Sequence, residues 1–198
     1  MDEQQFAALT RQYFDDLAPK WDDICRHDKD KLSLIIGLTA PPPDSRALDV
    51  GCGAGVMIGP LLTTKPRELL ALDISPCMIE QAKRKFSDPC LRLLCEDFFA
   101  MEESGFDFAM FYSVYPHFPA KERLARHTAR CLNKGGRFVV AHSENRAKIN
   151  NRHQSGLAAQ LSLPLQAAGE EAKKWLAYFN IDILIDTEQL YMISGLRK

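Results

Sequence analysis

The sequence predicts an α/β fold built on a largely parallel sheet. From Arg46 onward, short apolar strands alternate with helical segments, and a glycine-rich turn follows the first strand. The chain then ends in two strands that are separated by only a few residues. Alternating strands and helices imply right-handed crossovers between parallel neighbours, whereas so short a link joins antiparallel neighbours. We therefore expect a mostly parallel sheet, with helices around it, that ends in an antiparallel pair.

Length and composition predict a single globular domain over residues 1–198. Hydrophobic residues make up 46% of the chain and charged residues 26%, with 25 Lys and Arg against 26 Asp and Glu. The formal charge of −1 disfavours nucleic acid as a partner. No apolar run reaches the roughly 20 residues that a membrane span needs. The acidic N-terminus has no apolar signal core, so we expect a cytoplasmic protein with its six scattered cysteines reduced.

Hydrophobic periodicity predicts the order of elements. Apolar residues at helical spacing predict a first helix over residues 3–17, ended by Pro19, and a second over Lys31–Leu38. Later helices are expected over about 55–64, after the N-cap Ser75, along the stripe Leu124–Cys131, and over the amphipathic run Leu165–Phe179. The predicted strands are Ala47–Val50, Glu68–Leu72, Leu91–Cys95, Phe106–Tyr112, Arg137–Ala141, Ile181–Ile185 and Leu190–Leu196.

The turn Asp49-Val50-Gly51-Cys52-Gly53-Ala54-Gly55 is the first candidate ligand site. Glycines there allow positive φ and a close approach of the backbone to a ligand, although a purely structural tight turn would use them too. Val56 stands where a nicotinamide dinucleotide fingerprint needs glycine, which disfavours an oxidoreductase. Asp73 ends the second strand, where a carboxylate can accept both ribose hydroxyls; its alternative role is to cap the next helix.

Five motifs together resemble those of class I S-adenosylmethionine-dependent methyltransferases. They are ALDVGCGAG (47–55), LLALDISPCMIEQAKRK (69–85), CEDFF (95–99), FDFAMFYSVYPHF (106–118) and LNKGGRFVVAHS (132–143). The resemblance implies a Rossmann-like sheet of seven strands in the order 3-2-1-4-5-7-6, with strand 7 antiparallel. It also implies S-adenosylmethionine as cofactor, with Asp49 and the glycines at the methionine part, Asp73 at the ribose, and Asp97 with Phe98 at the adenine. The cofactor-binding residues expected from it are Asp49, Gly51, Cys52, Gly53, Gly55, Asp73, Ile74, Met78, Asp97, Phe98 and Ser113.

The N-terminal string QYFDDLAPKWDD (12–23) is similar to a segment that closes over the cofactor in many of these enzymes. On this resemblance Tyr13 and Trp21 join the cofactor-binding residues, unless these aromatics only pack on the core. The expected organisation is a helical lid over 1–45, a cofactor-binding core over 46–142, an acceptor-side cap over 143–175, and a helix end and β-hairpin over 176–198.

Candidate acceptor-side residues follow the fourth and fifth strands, beyond the carboxyl ends where ligands collect in a parallel sheet. We expect His117, His142 and Tyr115 to be catalytic, and Asn150 and His153, on one helical face with Arg146, to contact the substrate. These imidazoles could be a base, a substrate clamp or a metal site, or could serve structural packing. We predict no metal: Cys25-Arg26-His27 lacks a second close ligand pair.

The function expected is transfer of a methyl group from S-adenosylmethionine to a small-molecule acceptor by in-line displacement. A catalytically silent binding subunit or regulator and a tRNA or rRNA methyltransferase are the alternatives. No NPPY string follows the fourth strand, and Pro89-Cys90 lies before the third, so amino-group and cytosine-C5 methylation of the familiar kinds are disfavoured.

Overall fold

A computed structural model describes residues 2–152 and 154–198. Its strands are β1 Arg46–Val50, β2 Glu68–Asp73, β3 Leu91–Cys95, β4 Phe106–Tyr112, β5 Leu132–His142, β6 Phe179–Asp186 and β7 Tyr191–Arg197. They form one seven-stranded sheet in the order β3-β2-β1-β4-β5-β7-β6. β7 runs antiparallel to both of its neighbours, and the other pairings are parallel. The predicted fold class and strand order are confirmed.

The described helices are α1 Glu3–Leu17, α2 Trp21–Ile24, α3 Lys29–Thr39, α4 Ile58–Leu62, α5 Pro76–Lys85, α6 Lys121–Cys131, α7 Arg146–Arg152, α8 Gly156–Gln160 and α9 Ala168–Ala172. Short 3₁₀ turns cover Ala18–Lys20 and Tyr115–His117. Among the described residues, no helix is long and apolar enough to cross a membrane.

Local sequence signals set several helix starts. Ser75 caps α5, because its hydroxyl accepts a hydrogen bond from the backbone of Met78, and Pro76 occupies the first turn. Asp2 caps α1 in the same way through Gln5, whose side chain reaches back to the Asp2 backbone. These caps satisfy backbone amides that have no partner inside the helix.

The sheet has a hydrophobic cluster on each face, because successive side chains of a strand point to opposite sides. Along β5, Phe138 and Val140 join the cluster that includes α6 and α9, while Val139 and Ala141 join the cluster that includes α3, α4 and α5. Both faces of the sheet are therefore covered by helices, and the strand ends remain available for a site.

Three elements differ most from their predicted extent. The expected helix over 165–179 is helical only in α9; the chain then runs in turns in which Trp175 N–H donates to Ala172 and Tyr178 N–H donates to Trp175. Trp175 lies stacked on Phe138 at 3.9 Å, and Phe179 already starts β6. Tertiary packing has therefore overridden the helical periodicity.

The other two differences concern α4 and β5. α4 is shorter than the expected 55–64, because Gly53 and Gly55 have positive φ and hold residues 51–57 in turns. β5 begins five residues before Arg137, at Leu132, and its pairing with β4 shifts register between Phe106 and Phe108.

Candidate functional site

A cavity of about 800 Å³ lies over the carboxyl ends of the central strands and under α1 and α2. Its volume is in the range of ordinary small-molecule sites. Many residues singled out from the sequence line it: Tyr13, Trp21, Gly51, Cys52, Gly53, Asp73, Ile74, Met78, Asp97, Phe98, Ser113, His117 and His142. Most of these residues lie at or just after the ends of β1 to β5, whereas Tyr13, Trp21 and Met78 come from α1, α2 and α5.

The glycine turn presents its backbone to this cavity. Gly51 and Cys52 donate backbone hydrogen bonds to Leu72 at the end of β2, at 2.9 and 3.0 Å. A Cβ on Gly51 would lie 2.4 Å from Val114, so this glycine allows a close approach between the turn and the end of β4. A Cβ on Gly53 would meet only the Trp21 indole nitrogen, at 3.7 Å, so the space above Gly53 is open.

Asp73 is bound from two sides. Gly53 N–H donates to its Oδ2 at 2.9 Å and Ser75 N–H donates to its Oδ1 at 2.8 Å. Burial raises the pKa of Asp73 to about 6, against the lowering effect of these two backbone donors. Each carboxylate oxygen can accept a second hydrogen bond, so the capping role and a role toward a ligand are compatible.

Asp49 is buried behind the turn and does not line the cavity directly. Its Oδ2 accepts no hydrogen bond from residues 2–152 and 154–198. Burial, and secondarily the charge of Asp73, raises the pKa of Asp49 to about 7. A buried carboxyl oxygen without a donor, beside a glycine turn with open space, fits a ligand that brings a cation or hydrogen-bond donors.

Gly55 also lies off the cavity. Its backbone has φ +93°, and a Cβ there would lie 2.6 Å from the Phe86 ring. Packing against Phe86 therefore already accounts for a glycine at position 55, and the structure does not place Gly55 with the residues that line the cavity.

Ser113 follows β4 with φ +57°, a left-handed conformation that is uncommon outside glycine. Its N–H donates to Ala141 of β5 at 2.9 Å, which fixes the loop that carries it over the cavity. Asp97 accepts from the Phe99 backbone at 2.9 Å, which turns the chain after β3. Phe98 lines the cavity with only 3% of its surface exposed.

His117 and His142 both line the cavity: His117 lies in the 3₁₀ turn after β4, and His142 is the last residue of β5. His117 Nδ1 lies 3.0 Å from the carbonyl of Leu161 and 3.1 Å from the hydroxyl of Ser162, and its ring contacts Phe14 edge-to-face. His117 therefore also connects the 143–175 segment to the sheet. His142 is 97% covered and contacts the ring of Tyr191.

Two of the expected acceptor-side residues lie elsewhere. Tyr115 is fully buried outside the cavity, and its hydroxyl donates to Glu171 at 3.0 Å, so the structure does not bring it to the acceptor side with His117 and His142. Asn150 bonds the backbone of Leu165 through both its amide nitrogen and its oxygen, which holds the segment after α7 in place, and it does not line the cavity. His153 lies outside the described residues.

The structure adds cavity residues that the sequence interpretation passed over. Cys25 and His27, which precede α3, meet Tyr112 and Ser143 at the ends of β4 and β5. The close spacing of Cys25 and His27 was visible in the sequence, but their approach to Tyr112, 85 residues away from His27, depends on the tertiary fold.

The chain matches a family described as "Methyltransferase domain" over residues 48–140. It is 29% identical over 130 residues to malonyl-[acyl-carrier protein] O-methyltransferase 1 of Ilyobacter polytropus, covering 64% of this chain and 48% of that protein. The chain thus spans about half the length of this curated relative.

Solved structures show the same fold. A chain from the complex of the Haloferax volcanii Trm112 methyltransferase activator with a methyltransferase superposes with TM-score 0.75 at 17% identity, over 93% of this chain and 97% of that one. The N-methyltransferase NodS of Bradyrhizobium japonicum, in complex with S-adenosyl-L-homocysteine, gives TM-score 0.71 at 14% identity, over 95% and 98%. Residues 48–140 thus match a methyltransferase domain, and the chain as a whole has the fold of solved S-adenosylmethionine-dependent methyltransferases.

Proposed function

We propose that this protein transfers a methyl group from S-adenosylmethionine to a small-molecule acceptor. The observation that carries the proposal is an open glycine turn that lines the cavity together with Asp73, with the buried carboxyl group of Asp49 behind the turn. When bound, the cofactor supplies an activated methyl group, so the protein mainly has to align two reactants and exclude water. Such positioning is worth roughly 7–11 kcal/mol.

The cofactor side is proposed to be the part built on β1, β2 and β3. Asp73 would accept the ribose hydroxyls, and Gly51 and Gly53 would let the methionine part lie against the backbone. Asp49 would balance the positive charge of that part, because a nearby cation favours its ionised form. Asp97 and Phe98 would bound the adenine, and Tyr13 and Trp21 would cover the ligand from the N-terminal helices.

The acceptor side is proposed to lie over β4 and β5, between His117 and His142. The lid over 1–45 and the cap over 143–175 would close this space from above, which favours an acceptor small enough to be enclosed. A malonyl carboxylate is one acceptor chemistry to test, since the relative from I. polytropus is named for it.

A labelled-methyl assay tests the proposal. The protein is incubated with S-adenosylmethionine and, separately, with monoethyl malonate, hydroquinone, an alkyl thiol, an alkyl amine and total RNA. We expect S-adenosylhomocysteine to form together with label in one of the small acceptors. Label in RNA alone would support the RNA methyltransferase, and cofactor binding without transfer to any acceptor would support the silent binding subunit.

A further inference from the structure

Four polar side chains form an unbroken hydrogen-bonded chain in the wall of the cavity. Cys25 Sγ lies 3.3 Å from His27 Nε2, His27 Nδ1 lies 2.8 Å from the Tyr112 hydroxyl, and that hydroxyl lies 2.7 Å from Ser143 Oγ. All four residues line the cavity. We call them the polar chain.

The polar chain is assembled from three separate parts of the fold. Tyr112 is the last residue of β4, Ser143 follows the last residue of β5, and Cys25 with His27 comes from the segment between α2 and α3. Lys31 of α3 donates to the carbonyl of Ser143 at 3.1 Å, which holds that segment against the strand ends. The polar chain therefore lies at the strand ends that the proposed function leaves to the acceptor.

The hydrogen bonds of the polar chain can all point the same way. With the imidazole proton on Nε2, His27 donates to the sulfur of Cys25 and leaves Nδ1 to accept from the Tyr112 hydroxyl. Tyr112 then accepts from Ser143, whose oxygen can accept a proton from a group in the cavity. In this tautomer, assigned from the hydrogen-bond network, Nδ1 is the final proton acceptor.

The surroundings keep the members of the polar chain uncharged before reaction. Burial, with help from the charge of Arg152, lowers the pKa of His27, while Glu144 opposes that effect. Burial raises the pKa of Cys25, with Arg152 lowering it and Glu144 and Asp22 raising it. Burial likewise raises the pKa of Tyr112 to about 12, so its hydroxyl passes a proton on more readily than it holds a negative charge.

We propose that the polar chain is the proton acceptor for a methyl acceptor that reacts through a hydroxyl, a thiol or an ammonium group. The acceptor's X–H bond breaks and its electron pair forms the new X–CH₃ bond, while the sulfur–methyl bond of the donor breaks to leave S-adenosylhomocysteine. The proton passes through Ser143 and Tyr112 to His27 Nδ1, giving an imidazolium that later releases it to solvent. Cys25 is a positioning residue, because it acts through the imidazole.

This inference rests on the proposed function and narrows its acceptor class. An acceptor carboxylate is already ionised at neutral pH and needs no base, so the polar chain would have no role toward it. Among the described residues, no third His, Cys, Asp or Glu side chain converges with Cys25 and His27 to complete a metal site. The geometry thus favours proton transfer over metal binding.

The first test is ¹⁵N NMR of the histidine rings in the ligand-free protein. We expect His27 to hold its proton on Nε2 and to titrate below an ordinary histidine. Tyr112→Phe and Cys25→Ser should each shift the tautomer ratio, whereas Tyr178→Phe and Cys90→Ser, matched changes outside the cavity, should leave it unchanged. A His27 ring that carries its proton on Nδ1 would overturn the proposal, since Nδ1 could then accept nothing.

The second test compares a thiol with a carboxylate acceptor, β-mercaptoethanol with monoethyl malonate, by the S-adenosylhomocysteine each yields. His27→Gln and Tyr112→Phe should slow methylation of the thiol by about 10²-fold and flatten its pH profile, with affinity for S-adenosylhomocysteine retained. Methylation of the carboxylate should slow much less than that of the thiol, because it needs no base; equal slowing of both acceptors would contradict the inference. Unchanged thiol rates and pH profiles in both variants would overturn the inference, whereas wild-type protein that fails to bind S-adenosylhomocysteine would instead overturn the proposed function.

Discussion

Asp73 has a structural role and a proposed binding role, and different hydrogen-bonding directions on its carboxylate oxygens serve the two roles. Gly53 and Ser75 occupy one hydrogen-bonding direction on each carboxylate oxygen. A ligand hydroxyl would therefore compete with neither of them. The two roles that the sequence suggests for Asp73, capping the next helix and binding a ribose, are therefore compatible. Substitution of Asp73 can separate its contribution to ligand affinity from its contribution to stability.

We expect Asp73→Ala to weaken binding of S-adenosylhomocysteine at least about tenfold, because charge-assisted hydrogen bonds worth about 1.5–3 kcal/mol are lost. The quenching of Trp21 fluorescence offers a direct titration, since that indole lines the cavity. Asp73→Asn is a second variant that retains the size of the side chain and so guards against misfolding. The control is Asp30→Ala, which changes an exposed residue in the first turn of α3. Equal affinity in all four proteins would remove Asp73 from the site.

The raised pKa of Asp49 predicts how stability depends on pH. Between its ordinary value of 3.8 and its folded value of about 7, the folded protein retains a proton that the unfolded chain has lost. Asp49 therefore contributes a free energy of unfolding that falls as pH rises through this window. Asp49→Asn should lose less stability than wild type from about pH 4.5 to about pH 7, as measured by thermal unfolding. Parallel curves for the two proteins would contradict the assigned burial.

At the scale of elements, the glycine turn is held between β2 and the start of the loop after β4. Gly51 meets Val114 there, so a side chain at position 51 is opposed both by its positive φ and by a close contact. Gly135 has positive φ too, at +75°, but has open space around it. Comparing substitutions at Gly51 and Gly135 therefore separates the energetic cost of the left-handed backbone from the cost of the clash with Val114.

We expect Gly135→Ala to cost about 1–2 kcal/mol in the free energy of unfolding, the ordinary cost of a left-handed residue. Gly51→Ala should cost that amount plus about 1–3 kcal/mol for overpacking. Chemical denaturation measures both. Adding Val114→Ala to Gly51→Ala should recover part of the second contribution; a double variant no more stable than the single one would argue against the contact.

Sequence periodicity predicted elements best where local and tertiary preferences agree. β3 and β4 have the predicted bounds, and α5 begins at Pro76 because Ser75 and Pro76 are both strong start signals. The run from Leu165 to Phe179 shows the opposite case, because the stacking of Trp175 on Phe138 overrides its helical pattern. Tyr115 shows a related effect: it follows β4 as expected, but its side chain in the 3₁₀ turn points toward Glu171 and away from the cavity.

For the site as a whole, strand order decided what could be predicted. Residues at the ends of parallel strands meet at one edge, so the place of Asp73 in the cavity wall followed from its position, whereas Asp97 and Ser113 were expected there from the family resemblance. His27 was not, because its role depends on how the N-terminal segment folds back over the sheet. No spacing in the sequence indicates that contact.

At the scale of the whole molecule, the N-terminal helices cover the cavity and are tied to the sheet through α5. Asp15 of α1 accepts from the Ser75 hydroxyl at 2.5 Å and from the Cys77 backbone at 3.2 Å. Phe14 and Trp21 pack against Ala18, Ala54 and Met78 in a small separate cluster. So small a contact area favours a segment that opens more readily than the core.

Bound S-adenosylhomocysteine should therefore slow amide hydrogen exchange in residues 3–24, because Tyr13 and Trp21 gain a partner across the cavity. Asp15→Ala should speed exchange of the same residues in the free protein. β6, at the far edge of the sheet, is the internal reference and should not change. Protection confined to the glycine turn, with residues 3–24 unaffected, would contradict a covering role for α1 and α2.

Isothermal titration calorimetry tests the central claim, that this cavity is a cofactor site of the methyltransferase kind, most directly. We predict that S-adenosylmethionine and S-adenosylhomocysteine each bind as one molecule per chain, that each displaces the other, and that NAD does not bind. Binding of NAD, or the absence of heat with both S-adenosyl compounds in a folded protein, would contradict the account.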